Sequence, residues 1–298
     1  MNLKMINLIL SIFFISFLFS NNQNSIYFFS KSSQTFSLSN VHYISKNIDG
    51  LFYQPISKDL NLKGKIYISF AEVFNNQFNI IKIGYCLKSS NKNKLSFGFI
   101  KRNLDNLFYT NNAWNYNELL VPELSDIEYD NISDLEHEDF GFIFSYDKYL
   151  NDKIINLKFK PYFNKIHSNR AYGFDLDVFY ATSFLKFDFI IGIENLISKK
   201  KWTSGVVEEN NLNYFFSNTL NLEKIRLIYQ LNSLNYNQFA ADYNINDFFN
   251  FRFGFSDENK ESIGFGIVTD FFDIDYAYFN NQFDLGKSTQ ISLIFKNI

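Results

Sequence analysis

From about residue 64 to the C-terminus, apolar and polar residues alternate along the chain with a period of two. That period belongs to a strand, where successive side chains point to opposite faces, and not to a helix. In 249–256, FNFRFGFS, Phe249, Phe251, Phe253 and Phe255 share one face, while Asn250, Arg252, Gly254 and Ser256 share the other. In 155–163, INLKFKPYF, Ile155, Leu157, Phe159 and Phe163 oppose Asn156, Lys158, Lys160 and Tyr162. In 172–181, YGFDLDVFYA, the two aspartates Asp175 and Asp177 lie together, opposite Tyr172, Phe174, Leu176, Val178 and Tyr180. The segments at 185–195, 225–232, 272–279 and 290–296 behave alike, and short polar connections near 90–93, 150–153 and 256–262 separate such runs. The pattern predicts roughly 13 or 14 consecutive, hairpin-linked strands of about ten residues, the length of a tilted membrane-spanning strand. One long loop at about 111–137 and the region before residue 64 fall outside it.

Two architectures satisfy such a pattern. A soluble sandwich would bury the apolar faces and show the charged ones to water. A membrane barrel would do the reverse, with apolar faces on lipid and polar faces on the lumen. The apolar faces here are almost purely Phe, Tyr, Ile and Leu, with tyrosines towards several strand ends, whereas the polar faces mix Gly, Asn, Ser and both charges. That combination favours the barrel.

Composition agrees with that choice. Aromatic residues make up 20% of the 298 positions, yet mean hydropathy is slightly negative because Asn, Lys and Ser fill the alternate sites. A net charge of -3 provides no basic footprint for nucleic acid. One cysteine, Cys86, on the predicted lumen face, precludes an internal disulfide framework. At the N-terminus, Lys4 precedes a run of mainly Ile, Leu and Phe from Ile6 to Phe19, followed by NNQNS. This is the layout of a secretory signal peptide. The expected organisation is therefore a signal peptide at 1–20, a periplasmic or plug segment at 21–63, and a barrel at 64–298 in the bacterial outer membrane.

Candidate chemistry is sparse. The three histidines, His42, His137 and His167, have no neighbouring Ser or Cys spaced for nucleophilic work, and G-x-S-x-G, H-E-x-x-H and phosphate-binding glycine loops are absent. Asp175/Asp177 and Asp273/Asp275 resemble a D-x-D metal motif, but period-two polarity generates such pairs unaided. GFG at 264–266 reads as strand packing. The stretch 117–139 is rich in carboxylates and lacks Lys and Arg, and its irregular spacing fits a solvated extracellular loop better than a cation loop. No catalytic, cofactor-binding or metal residues are assigned, and no enzyme activity or cofactor is expected. Pro161 is the irregular element: it removes a ladder hydrogen bond inside a predicted strand, which implies a kink or bulge, or an opening in the wall.

From about residue 45 onward the order of segments resembles the PorV/PorQ-type outer-membrane proteins, relatives of the FadL-like transporters of hydrophobic compounds. The resemblance rests on LFYQPISKDL (51–60), SFAEVF (69–74), TNNAW (110–114), LKFKPYFNKIHSNRAYGFDLDVFY (157–180), GIENLISKKKW (192–202) and DIDYAYFNNQFDLGKSTQISLIFK (273–296). Gln54-Pro55-Ile56 stands where the family has Asn-Pro-Ala, and the final aromatic, Phe295, lies three residues short of the chain end. The resemblance implies an all-β, FadL-like barrel of about 14 antiparallel strands whose first ordered segment, 26–60, forms a hatch. Two non-enzymatic roles follow from it. One is a component of type IX-like protein secretion that binds cargo or partner proteins, and the alternative is a channel for hydrophobic small molecules.

Overall fold

The computed structural model describes residues 26–59, 61–75, 77–104, 108–110, 113, 128–135, 137–233, 236–257, 261–280 and 286–296. The expected signal peptide and most of the acidic loop lie outside the described residues. Fourteen strands follow one another round a closed antiparallel barrel. The first seven are β1 (Ile66–Val73), β2 (Phe78–Ser89), β3 (Asn93–Leu104), β4 (His137–Leu150), β5 (Lys153–Ile166), β6 (Asn169–Phe184) and β7 (Phe187–Trp202). The others are β8 (Asn213–Asn221), β9 (Ile225–Asn232), β10 (Asn237–Asn244), β11 (Phe249–Ser256), β12 (Glu261–Val268), β13 (Phe272–Asn280) and β14 (Lys287–Phe295). Closure is made by β1 on β14, where Ile66 stands opposite Phe295. A sheet with no free edge satisfies every strand's backbone groups internally, as a hydrocarbon surrounding demands.

The two faces fall as the alternation predicts. Phe249, Phe251, Phe253 and Phe255 point outward, while Arg252 between them is 3% exposed inside. Among the described residues, outward-facing charges sit only towards strand ends, as at Lys101, Lys165, Lys199 and Glu261. This distribution matches a bilayer, where a basic residue at the midplane costs about 2–4 kcal/mol and one near the interface about 0–1.

Connections at 90–92, 151–152, 185–186, 222–224, 245–248 and 269–271 are short, and both ends of the barrel chain lie on that side. The opposite side carries the longer connections, including 105–136 and 203–212. Short turns mark the periplasmic end of such barrels and long loops the extracellular end. The barrel is also uneven in height: β4 to β7 run to 14 or 16 residues, β9 to β12 to eight.

Residues 26–57 lie inside the ring. A 3-10 turn (Ile26–Phe29) leads to α1 (Ser33–Ser37), then to α2 (Gly50–Tyr53). Ser32 caps α1, its Oγ accepting from the Thr35 N–H at 3.2 Å. Ile48, Leu51, Phe52 and Ile56 are fully or almost fully buried and share one apolar cluster with Tyr67, Ile80, Ile100 and Ile143 of the wall. An apolar plug core thus sits in a polar lumen at the points where the wall offers small or aliphatic residues.

Candidate functional site

The site is the plugged lumen and the wall around it. On one side, lysines of the wall reach the plug backbone. Lys158 of β5 is fully buried, and its Nζ donates to the carbonyl oxygens of Gly50 (3.1 Å), Leu51 (2.9 Å) and Gln54 (3.1 Å) and to Ser145 Oγ (3.1 Å). The Gly50 carbonyl also accepts from the Gln54 N–H at 2.7 Å, whereas those of Leu51 and Gln54 lie at the open C-terminal end of α2, so one ammonium satisfies the helix end and places positive charge where the backbone dipoles favour it. Lys82 donates to the Lys31 carbonyl and Lys94 to those of Ser57 and Lys58. Asp147 completes this side by accepting from the Ile56 N–H at 3.1 Å.

On the other side the wall meets the plug backbone through small, neutral residues, while its charged groups Arg226, Asp242, Arg252 and Asp275 pair with one another. A Cβ on Gly254 would come within 2.5 Å of the Leu38 and Ser39 backbone, and one on Gly264 within 2.3 Å of Ser37 Cβ. Only glycine allows that approach. The GFG stretch therefore does more than pack strands: it makes room for the end of α1. Ser262 Oγ accepts from the Ser39 N–H at 2.9 Å, and Gln238 donates to the Ser39 carbonyl at 2.8 Å. His42 lies between the Tyr53 ring (4.0 Å) and the Phe215 ring (3.5 Å), with Nδ1 3.0 Å from Gln230 Oε1 and Nε2 3.6 Å from Glu194. Burial holds His42 below the ordinary imidazole range, against the opposing pull of Glu194. Burial also raises the Asp49 carboxyl, which accepts from Ser32 and Ser45 hydroxyls at 2.7 and 2.9 Å.

The aspartate pairs are lumen residues with protein partners. Asp177 pairs with Lys160 at 2.7 Å and accepts from the Asn195 N–H, where β7 carries an irregular register and Asn195 adopts φ 55. Asp175 accepts from Asn210 Nδ2 at 3.0 Å. Asp275 binds Arg252 at 2.5 Å, and Asp273 binds Lys296 at 2.7 Å and Asn47 at 3.1 Å. Between Asp273, Asp275 and the plug, at the periplasmic end, lies a polar cleft of about 220 Å³ lined also by Lys46, Asn47, Arg226, Asp242 and Asn250. Among the described residues no group of three or more His, Cys, Asp and Glu gathers as a metal set. His137 lies 3.5 Å from Asp139, which Arg102 also contacts, and His167 sits in the exposed turn after β5. Cys86 is buried beside the register shift in β2.

Pro161 interrupts the hydrogen-bond ladder on one side, without shifting its register. Pairing of β4 with β5 runs from His137↔Ile166 to Gly141↔Tyr162 and resumes at Phe144↔Phe159, omitting Phe142–Ile143 opposite Lys160–Pro161. Proline has no N–H to give to the strand opposite. The hydroxyl of Tyr27, from the plug, meets this stretch and lies 2.8 Å from the Phe142 carbonyl and 2.6 Å from that of Pro161. Gly141 makes space for it, since a Cβ there would lie 2.9 Å from the Tyr27 oxygen. Tyr162 meets the Tyr27 ring edge-on at 5.8 Å. Nothing local in the sequence joins Tyr27 to Pro161, which lie 134 positions apart.

No protein-family model matches this chain, and no curated protein matches it in sequence. Solved structures do. The toluene transporter TbuX of Ralstonia pickettii superposes with a TM-score of 0.56 at 6% identity, over 90% of this chain and 98% of that one. A FadL homologue of Pseudomonas aeruginosa gives 0.53 at 8% identity, over 89% and 98%. The toluene transporter TodX of P. putida gives 0.53 at 6% identity, over 89% and 97%. At such identities the likeness is one of fold: this chain is a FadL-like, 14-stranded β-barrel.

Proposed function

We propose that this protein is a non-enzymatic channel of the bacterial outer membrane for hydrophobic small molecules. The observation that carries the reading is the interrupted ladder at Pro161, a two-pair lapse in a lipid-facing aromatic wall that a plug side chain spans from inside. An apolar solute dissolved among lipid chains would meet the protein at such a seam without crossing the charged lumen. The filled lumen supports it too, because a plug fastened on two sides is unsuited to an open aqueous pore. Structural neighbours include proteins described as toluene transporters and as a monoaromatic hydrocarbon channel. The secretion role implied by the PorV/PorQ resemblance would rest on the extracellular loops, chiefly 105–136, most of which lie outside the described residues. The barrel geometry therefore favours the channel.

Liposomes containing the purified protein are expected to take up toluene or a long-chain fatty acid several-fold faster than protein-free liposomes while staying impermeable to small ions. Equal uptake by both preparations would overturn the proposal.

A further inference from the structure

The extracellular end of the wall is not electrically uniform. On three neighbouring strands the outward positions nearest that end are Lys165 of β5, Arg170 of β6, and Lys199 and Lys201 of β7. Register sets Lys165 opposite Arg170, Lys201 opposite Tyr172 and Lys199 opposite Phe174. Arg170, Lys199 and Lys201 are exposed, and among the described residues none of the three has a carboxylate partner. By register Glu138 stands opposite Lys165 and Glu208 holds Lys200 at 2.9 Å, while the exposed Glu209 follows Glu208 on the Lys199 side with no ion pair to it.

Directly below this belt the wall is aromatic. The rings of Phe163 and Tyr172 lie 5.1 Å apart, and those of Phe159 and Phe174 5.8 Å apart, all on the lipid side. The far side of the barrel differs at the same level, where Glu72, Asp257 and Glu261 outnumber Lys287. A general need for solubility would not divide the charges in this way. Cations just above a lipid-facing aromatic surface are costly in hydrocarbon and favourable among anionic headgroups, so the belt marks the headgroup level of the outer leaflet.

We propose that this belt binds a phosphorylated glycolipid of the lipid A class. Its phosphates would pair with Arg170, Lys199 and Lys201, and its acyl chains would lie along Phe163, Tyr172 and Phe174. A guanidinium fork beside two ammonium groups suits a ligand with more than one phosphate, and a single-phosphate lipid would leave part of the belt unused. The inference rests on the outer-membrane reading above.

The test is titration of the purified protein in detergent micelles with diphosphorylated lipid A, followed by native mass spectrometry. The wild type is expected to retain lipid A at least tenfold better than the R170Q/K199Q/K201Q variant, and K199R/K201R is expected to match the wild type. K148Q/K153Q, which alters lipid-facing lysines at the opposite end, should change nothing. Dephosphorylated lipid A, phosphatidylglycerol and inorganic phosphate should each fail to compete. Equal retention by the triple variant, or effective competition by any of those three, would overturn the proposal. Gel mobility before and after heating checks that each variant is folded. Because the lipid is supplied in the tube, a failure of hydrocarbon uptake with intact lipid A retention would count only against the channel reading.

Discussion

The tall arc of the barrel, β4 to β7, and the short arc, β9 to β12, hold the same plug by different physics. In the tall arc the contacts are long and charged: Lys158 reaches three backbone carbonyls of the plug, and Asp147 accepts from the Ile56 N–H. In the short arc the plug backbone comes down onto glycine and is held by hydroxyl and amide groups such as Ser262 and Gln238, with a charged contact, Arg226 over the Tyr43 ring at 4.4 Å, made to a side chain. The interrupted pairing also belongs to the tall arc, while the ladders of β9 to β12 run without a lapse. A wall whose ladder lapses is met by side chains long enough to reach it. A fully paired wall can serve as a flat surface for close approach. The comparison implies that the plug would loosen first on the charged side.

The largest effect is expected from Lys158→Met. Methionine keeps much of the volume but leaves the Leu51 and Gln54 carbonyls buried without the Lys158 donor, at a cost of about 3 kcal/mol. Denaturant unfolding in detergent should show that loss. Limited proteolysis should then cut within 26–57, and single-channel recordings should reveal ion conductance absent from the wild type. An intact, protease-resistant plug in this variant would break the distinction between the two arcs.

Gly254→Val examines the opposite arc. The added carbons would occupy the space of the Leu38 and Ser39 backbone, so α1 must lift. Overpacking of this kind costs about 2 kcal/mol. Hydrogen exchange should rise at residues 37–41, with the contacts of α2 to Lys158 kept. Exchange spreading equally to 50–56 would mean that the plug moves as one body and that its two attachments are not independent.

The alternating faces were legible because a barrel wall is a single repeated rule: outward side chains must suit lipid, and inward ones water or plug. The roughly 14 strands and the lumen position of Asp175 and Asp177 follow from that rule, and the ladder lapse at Pro161 follows from the N–H that proline lacks. What the rule omits is the content of the lumen. Lys158 is one polar position among many until the end of α2 is seen against it. Gly264 looks like strand packing until Ser37 is found where its Cβ would be. His42 carries no signal of its aromatic neighbours Tyr53 and Phe215, because one comes from the plug and the other from β8. Contacts between the plug and the wall join positions from 37 to 259 residues apart, with no periodicity to announce them.

The smallest effect, and the finest examination of the comparison, concerns the seam itself. In Tyr27→Phe the ring stays against Gly141 and Tyr162, but the carbonyls of Phe142 and Pro161 lose their shared hydroxyl donor, at about 1 kcal/mol. If the hydroxyl stands in for the N–H that proline lacks, returning that N–H should make it dispensable. Pro161→Ala does so without adding bulk to the lipid face. The double variant should then recover most of the stability lost by Tyr27→Phe, which a double-mutant cycle reads as a coupling of about 0.5–1 kcal/mol. Uptake of a hydrocarbon into liposomes should move the opposite way, faster than wild type in Tyr27→Phe and slower in Pro161→Ala, where the ladder can close. Additive stabilities together with unchanged uptake would mean that Tyr27 fills space beside the seam without governing it, leaving the difference between the arcs to the charged anchors alone.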